Sequence, residues 1–301
     1  MRVDPYYVAN LVNSLDQTQA SQQQLTAELS SGVRVNSLSQ DPLASGENVL
    51  LLSQMQRDDS FTQSSSLVQG QLQVADSALG GVVSQLTQAI ALATSANNGT
   101  MNASNVKSVS SQLAGILDEV LSLANTSYQG QYIFAGGQTS TAPFVQSNAT
   151  TPGVTTYAGD QDVNFLHTPN GQTIQLNVPG DQIFSASGTN SVLGALNSLI
   201  ADYSTGTVTT AQAVNDTQAL SSALNYLSQQ RVTIDNSLTH LTSASDAIAS
   251  EKTQLTAAQT GLMQADMAQV ATQLSLTSTQ QTALEDVIAQ LGSGSLFDKL
   301  R

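Results

Sequence analysis

From Val8 onward the apolar positions step by three and four: Val8, Leu11 and Leu15, then Thr18 and Gln22 in the same register, then Leu25 and Leu29. That alternation is the seam of a coiled coil. It predicts a helix over 5–31, roughly 40 Å long at 1.5 Å per residue, with Asp4 as its N-cap. The far end of the chain repeats the pattern. Met263, Met267, Val270, Leu274, Thr277, Gln281, Leu284, Ile288 and Leu291 keep the same spacing, again interrupted by a Thr and a Gln. The simplest reading of two matching seams at opposite ends of a sequence is that they pair. A polar residue within a seam fixes register at a cost in stability. The other faces of both segments are small and neutral (Ala9, Ala20, Ala27, Ala265, Ala268, Ala271 and Ala283), so neighbouring helices can pack closely on several sides.

Between the ends the period changes twice. Pro42 opens a second helical stretch through Val49, Leu50, Leu52 and Met55, with Arg57-Asp58-Asp59 as a solvated face. It runs on through Leu67, Leu72, Ala75, Leu79, Val82, Leu86 and Ile90 to a stop at Asn97-Asn98-Gly99. Gly70, Gly80 and Gly81 each weaken it by about 1 kcal/mol relative to Ala, and the pair admits a close neighbour. A third helix is expected over 105–129, ended by Gly130. Residues 135–188 then read as a small β-rich insertion. Alternation at Ile174, Leu176 and Val178 follows Thr168-Pro169-Asn170-Gly171, a hairpin signal. Val192 to Tyr203 reads as a short helix at its edge. From Thr210 a sustained seam returns: Leu220, Leu224, Leu227, Arg231, Ile234, Leu238, Leu241, Ser245, Ile248, Lys252 and Leu255. The terminal helix follows to about Gln290, where Gly292-Ser293-Gly294 breaks it ahead of an apolar tail, Leu296 to Arg301. The fold class is therefore mainly α with a β-rich insertion. Both chain ends build a long antiparallel helical bundle or coiled coil, and a small β domain lies in the middle. The expected segments are 1–42, the N-terminal axial helix and turn; 43–134, half of the bundle; 135–209, the insertion; 210–258, the other half; and 259–301, the C-terminal axial helix.

The two leading helices meet in a turn, Leu29-Ser30-Ser31-Gly32-Val33-Arg34-Val35-Asn36-Ser37, followed by Asp41-Pro42. Gly32 sits where a helix C-terminus favours a left-handed residue, and Asp41 reads as an N-cap with Pro42 at the first helical position. The set Ser31, Gly32, Arg34, Asn36 and Asp41 resembles the N-terminal signature of the bacterial flagellin family. The resemblance covers both ends, about 1–130 and 210–301. The chain departs from filament flagellins in the residues after Asp41, Pro42-Leu43-Ala44-Ser45-Gly46-Glu47. Gly130-Gln131-Tyr132-Ile133-Phe134-Ala135-Gly136, with Pro143-Phe144 after it and Met1-Arg2-Val3 at the start, is similar to the members that join hook to filament.

Composition supports an elongated, polar chain. Of 301 residues, 10% are charged and 4% aromatic, enough for aliphatic seams but not for a broad aromatic core. The formal net charge is −14, with eight Lys and Arg in all. No basic patch exists for nucleic acid or for an anionic membrane. No run approaches the ~18 apolar residues of a membrane span, and the first residues lack the apolar core of a secretory signal. Catalysis finds little support. There is no Cys, no nucleophile elbow and no phosphate loop. His167 and His240 stand apart in sequence. Asp160-Gln161-Asp162-Val163-Asn164 opens like a calcium loop, but Phe165 stands where Gly is required and Gly171 where the acidic twelfth residue belongs. The acidic pairs Asp58-Asp59, Asp118-Glu119 and Glu285-Asp286 read as solvated helix faces. No catalytic residue, cofactor or metal is expected.

What the family resemblance implies is a structural role. The chain is expected to be an exported, extracellular component of the flagellum, without a cleaved signal, serving motility. It is expected to form the layer between hook and filament and to template flagellin; filament flagellin itself is the alternative. A different class, a secreted free-standing coiled-coil effector or adhesin, explains the seams but not the turn. Expected partners are further copies of the chain, the first hook-associated junction protein, flagellin and an export chaperone. In the family the terminal helices order on assembly into an inner tube, and the insertion faces outward. The residues expected to carry assembly are the seam positions Val8, Leu11, Leu15, Leu25, Leu29, Met263, Met267, Val270, Leu274, Leu284, Ile288 and Leu291.

Overall fold

The computed structural model of the chain describes residues 5–97, 101–147, 154–186 and 191–293. Among the described residues seven helices and six short strands follow in order: α1 (Pro5–Ser31), α2 (Pro42–Ala96), α3 (Ala103–Ala124), β1 (Ser127–Tyr128), β2 (Gln131–Tyr132), β3 (Phe144–Ser147), β4 (Val154–Tyr157), β5 (Phe165–His167), β6 (Thr173–Gln175), α4 (Gly180–Phe184), α5 (Val192–Ser204), α6 (Thr210–Met263) and α7 (Met267–Ser293). The chain divides into two compact units, 1–56 with 250–301, and 57–249.

In the second unit α2 and α6 run antiparallel. The seam of α6 buries one residue per heptad: Leu220, Leu227, Ile234, Leu241 and Ile248 are at most 2% exposed. The inner face of α2 has the same period, with Ser65, Leu72, Leu79, Leu86 and Ala93 buried. Two polar contacts fix the register. Arg231 stands at a seam position and its Nη2 lies 2.7 Å from Asp76 Oδ1; Ser65 and Ser245 hydroxyls meet at 2.7 Å. A one-heptad slip would separate both pairs. Gly81 lets α3 approach, since a Cβ there would stand 3.0 Å from Leu123 Cδ1. Asp58 departs from expectation. It is 0% exposed, because it lies three residues before Phe61 and seven before Ser65, on the face turned inward.

α3 is shorter than its apolar pattern predicts. Asn125 ends it, and Gln129 and Gly130, at φ 51° and 80°, turn the chain into the β1–β2 hairpin. Positive φ at both central residues is what a tight two-residue hairpin needs. The Asn125 side chain then holds Phe144, accepting from its N–H and donating to its carbonyl, each at 2.9 Å. The β region is three separate two-stranded ribbons. The Asn-Gly hairpin forms as predicted, with Gly171 at φ 82°, but β5 and β6 are shorter than the alternation suggests. Asn177 intervenes: its Oδ1 accepts from the Asn164 N–H at 2.7 Å and its Nδ2 donates to the Asp162 carbonyl at 3.0 Å.

Phe134, Phe144 and Phe184 form the aromatic core of this region, with two edge-on contacts at 5.4 Å. The Tyr157 hydroxyl donates to the carbonyls of Phe134 and Asp160. Burial, then the Asp181 and Asp160 carboxylates, push its phenol up to about 12, so it stays a donor at neutral pH. The α4 turn is absent from the sequence reading. Gly180 makes it possible, since a Cβ there would stand 2.7 Å from the Phe134 carbonyl oxygen. α7 runs through Gly292 to Ser293, further than the predicted break. Asp4, Asn98-Gly99 and the tail 296–301 lie outside the described residues.

Leu220 is fully buried at the first position of the α6 seam. Leu220→Ala is expected to lower the free energy of unfolding by about 2–5 kcal/mol, read from urea denaturation with an unchanged m-value.

Candidate assembly site: the terminal helix pair and its turn

The first unit is organised by a backbone pairing. α1 ends as Gly32, at φ 70°, donates its N–H to the Glu28 carbonyl at 2.8 Å. A left-handed residue here costs Gly little and a β-carbon-bearing residue more. The chain then pairs with the segment between α6 and α7. Arg34 N–H donates to the Met263 carbonyl at 2.7 Å, and Ala265 N–H to the Gly32 carbonyl at 3.0 Å, around an antiparallel bridge of Val33 with Gln264. This ladder joins the two ends of the sequence.

The turn's side chains satisfy the backbone around it. Arg34 makes an ion pair with Asp41 at 3.2 Å and donates to the Leu262 carbonyl at 3.1 Å. Asp41 accepts the Ala44 N–H at 3.0 Å, an N-cap for α2. That N–H, and then Arg34, hold the Asp41 carboxyl below its ordinary value of 3.8 despite partial desolvation. The contribution of the cap is present above that value and lost as pH falls through the lowered one. Ser31 Oγ accepts from the Val33 N–H at 3.2 Å; Asn36 donates its Nδ2 to the Val33 carbonyl at 3.2 Å and its N–H to Gln40 Oε1 at 2.7 Å. On the other strand Asp266 caps α7, accepting from Ala268 and Gln269 N–H groups. Gln40 and Asp266 are participants that the sequence reading missed; an Asp before the apolar run of α7 is the signal that could have found the second.

From this knot α1 packs against α7. Leu25, Ala265 and Val270 form the buried centre, with Leu29 and Leu274 against it. Leu25 and Val270 share this cluster, and equal rise in two antiparallel helices then sets Thr18 near the height of Thr277 and Leu11 near that of Leu284. Leu11, Leu15, Thr18, Gln22, Leu29, Met263, Leu274, Thr277, Gln281, Leu284 and Ile288 are all half-buried. Met267 stands outside the pair, 44% exposed. The side chains of Val8 and Leu291 lie outside the described residues.

The chemistry of this site is that of packing. Among the described residues no three of His, Cys, Asp or Glu gather where a metal ion could sit, and His167 and His240 are both exposed. No described helix is long and apolar enough to cross a membrane.

Known proteins resemble the chain along most of its length. The model of the bacterial flagellin N-terminal helical region matches residues 6–139. Flagellar hook-associated protein 3 of Escherichia coli strain K12 is 27% identical over 295 residues, covering 91% of this chain and 90% of that one. Among solved structures, a putative flagellar hook-associated protein from Vibrio parahaemolyticus covers 74% of this chain and 99% of its own, with a TM-score of 0.66 at 20% identity. The flagellar junction protein FlgL from Legionella pneumophila covers 73% of this chain and 100% of its own, with a TM-score of 0.59 at 14% identity. At such identities the two structures show a shared fold. The sequence matches and the paired terminal helices point the same way: the chain is flagellin-like, matching the bacterial flagellin N-terminal helical region over residues 6–139, and is similar along most of its length to flagellar hook-associated protein 3.

Proposed function

We propose that the chain forms the layer joining hook to filament, with one face on the neighbouring junction protein and the other templating flagellin. One observation carries the assembly reading. Among the described residues the α1–α7 pair buries a cluster of three apolar residues, Leu25, Ala265 and Val270, whereas a long continuous core fills the second unit. A two-helix pair in water covers one stripe of each helix and leaves the flanks wet. Tyr6, Val12, Met267, Leu276 and Val287 are between 38% and 79% exposed. Such a pair is marginal alone, and further copies of itself supply the missing neighbours. The seam from Leu11 to Leu29 and from Met263 to Ile288 is then the site of assembly, and the turn from Ser31 to Asp41 sets where α1 leaves α2. An export chaperone that shields the apolar stripe of α7 before assembly fits the same arrangement.

Amide hydrogen exchange on the purified monomer tests this. Residues 5–31 and 267–293 are expected to exchange fast while 220–248 stay protected. Protection of the terminal helices equal to that of 220–248 would mean a finished coiled coil and would overturn the reading. In cells, Leu25→Asp and Leu284→Asp are each expected to abolish incorporation into flagella and motility, because the seam would bury an unpaired charge on assembly. Normal incorporation of both variants would sink the proposal. Gly32→Val places a β-branched residue at φ 70°; it is expected to destabilise the turn by about 1 kcal/mol or more, seen as faster exchange at the Arg34 and Ala265 amides.

A further inference from the structure

Asp216 occupies a position that belongs to the core. It lies three residues after Ala213 and four before Leu220, which are 1% and 0% exposed, and is itself 6% exposed. Its Oδ2 is buried without a hydrogen-bond partner among the described residues. A second acidic residue, Asp202 of α5, acts on it electrostatically. A buried carboxyl group with an oxygen that no donor reaches favours its protonated form.

Asp202 is also tied to the start of α6. Its Oδ1 accepts from Gln212 Nε2 at 3.1 Å. Gln212 Oε1 in turn accepts from the Thr209 N–H at 3.1 Å and hydroxyl at 2.7 Å, and Thr209 Oγ1 accepts from the Gln212 N–H at 3.2 Å. This is a reciprocal cap. Asp202 is thus held at the first turn of α6, and the buried carboxyl of Asp216 lies about two turns beyond the Thr209 cap. Tyr203, fully buried, closes the other side by donating its hydroxyl to the Ala93 carbonyl at 3.1 Å.

We propose that the Asp202–Asp216 pair is a proton-operated latch on the first turns of α6. With Asp216 protonated, an uncharged carboxyl group sits in the core and the first turns of α6 hold against α5. With both groups ionised, a buried carboxylate without a donor faces a second negative charge, and the first turns of α6 loosen from α5. The surroundings offer little compensation. Residues 83–97 of α2 contain no titratable group. On α3 the nearest cation is Lys107, whose Cε would stand 3.1 Å from a Cβ at Gly206, in the turn after α5. The Tyr203 phenol is pushed up by burial, then by Asp216 and Asp202, and stays neutral. Burial, then the Asp202 charge, raise the Asp216 carboxyl from 3.8 to about 6. The folded chain therefore holds this proton more tightly than the unfolded chain. The stabilisation is full below the unfolded value and is lost as pH rises through about 6.

The test is amide hydrogen exchange on the full chain at pH 5 and pH 8, expressed as protection relative to intrinsic exchange. Protection over 209–220 is expected to be roughly tenfold greater at pH 5, with 227–248 unchanged. Asp216→Asn is expected to keep the high protection at both pH values. Asp202→Asn, which lets an amide donate to an ionised Asp216, is expected to flatten the profile too and covers the case in which Asp216→Asn fails to fold. Equal protection of the unmodified chain at both pH values would overturn the latch, as would an unchanged pH dependence in the variants. Protection restored at pH 8 by millimolar calcium or magnesium would overturn it as well, since the pair would then be a cation site.

Discussion

Two hydrogen bonds between Gly32–Arg34 and Met263–Ala265 hold the first unit together. They connect segments 231 residues apart (264 − 33), and once that loop is closed the further contacts along the helices cost little additional entropy. Once the ladder is made, α1 and α7 leave the same knot side by side and their seams meet without further search. The polar side chains around it each satisfy a backbone group that the break between helices would leave open. Arg34 is the hub, reaching Asp41 on its own strand and the Leu262 carbonyl on the other.

The helices were legible because their burial is periodic. The heptad series Leu220 to Ile248 in α6, and Leu11 to Leu29 in α1, could be read off spacing alone, and the structure turns those stripes inward. The turn was legible because its residue types are nearly obligatory: Gly for a positive φ, Asp for an N-cap, Pro for a first helical turn. Legibility ended where a side chain replaced a backbone partner. Asn125 cuts α3 short, Asn177 cuts the β5–β6 ribbon short, and neither asparagine is distinguishable in sequence from many others that face water. Asp58 was misplaced on a solvated face for a related reason, and Asp216 drew no reading at all. An acidic residue is ordinarily placed outside, and only its register relative to buried neighbours reveals otherwise. Spacing identified which seam positions could meet, but could not show how thin the resulting core would be.

The aromatic residues explain the motif Gly130 to Gly136 with Pro143-Phe144 after it. Phe134 and Phe144, within Gly130 to Gly136 and Pro143-Phe144, are the anchors of the β region, and Phe184 of α4 locks between them. Gly136, at φ 66°, lets the chain turn hard against Asp160, whose Oδ1 accepts the Gly137 N–H at 2.6 Å. The motif is thus a folding device for the central region, separate from the seams.

The charge on the terminal pair has one further consequence. α1 carries Asp16 and Glu28, α7 carries Glu285 and Asp286, and neither carries a Lys or Arg. Glu28 is buried and accepts a hydrogen bond from Gln24, while Asp16, Glu285 and Asp286 face solvent. Counterions gather around these uncompensated carboxylates and screen them over about 8 Å at physiological ionic strength, so added salt eases the repulsion that any acidic neighbour would meet there without altering a single contact.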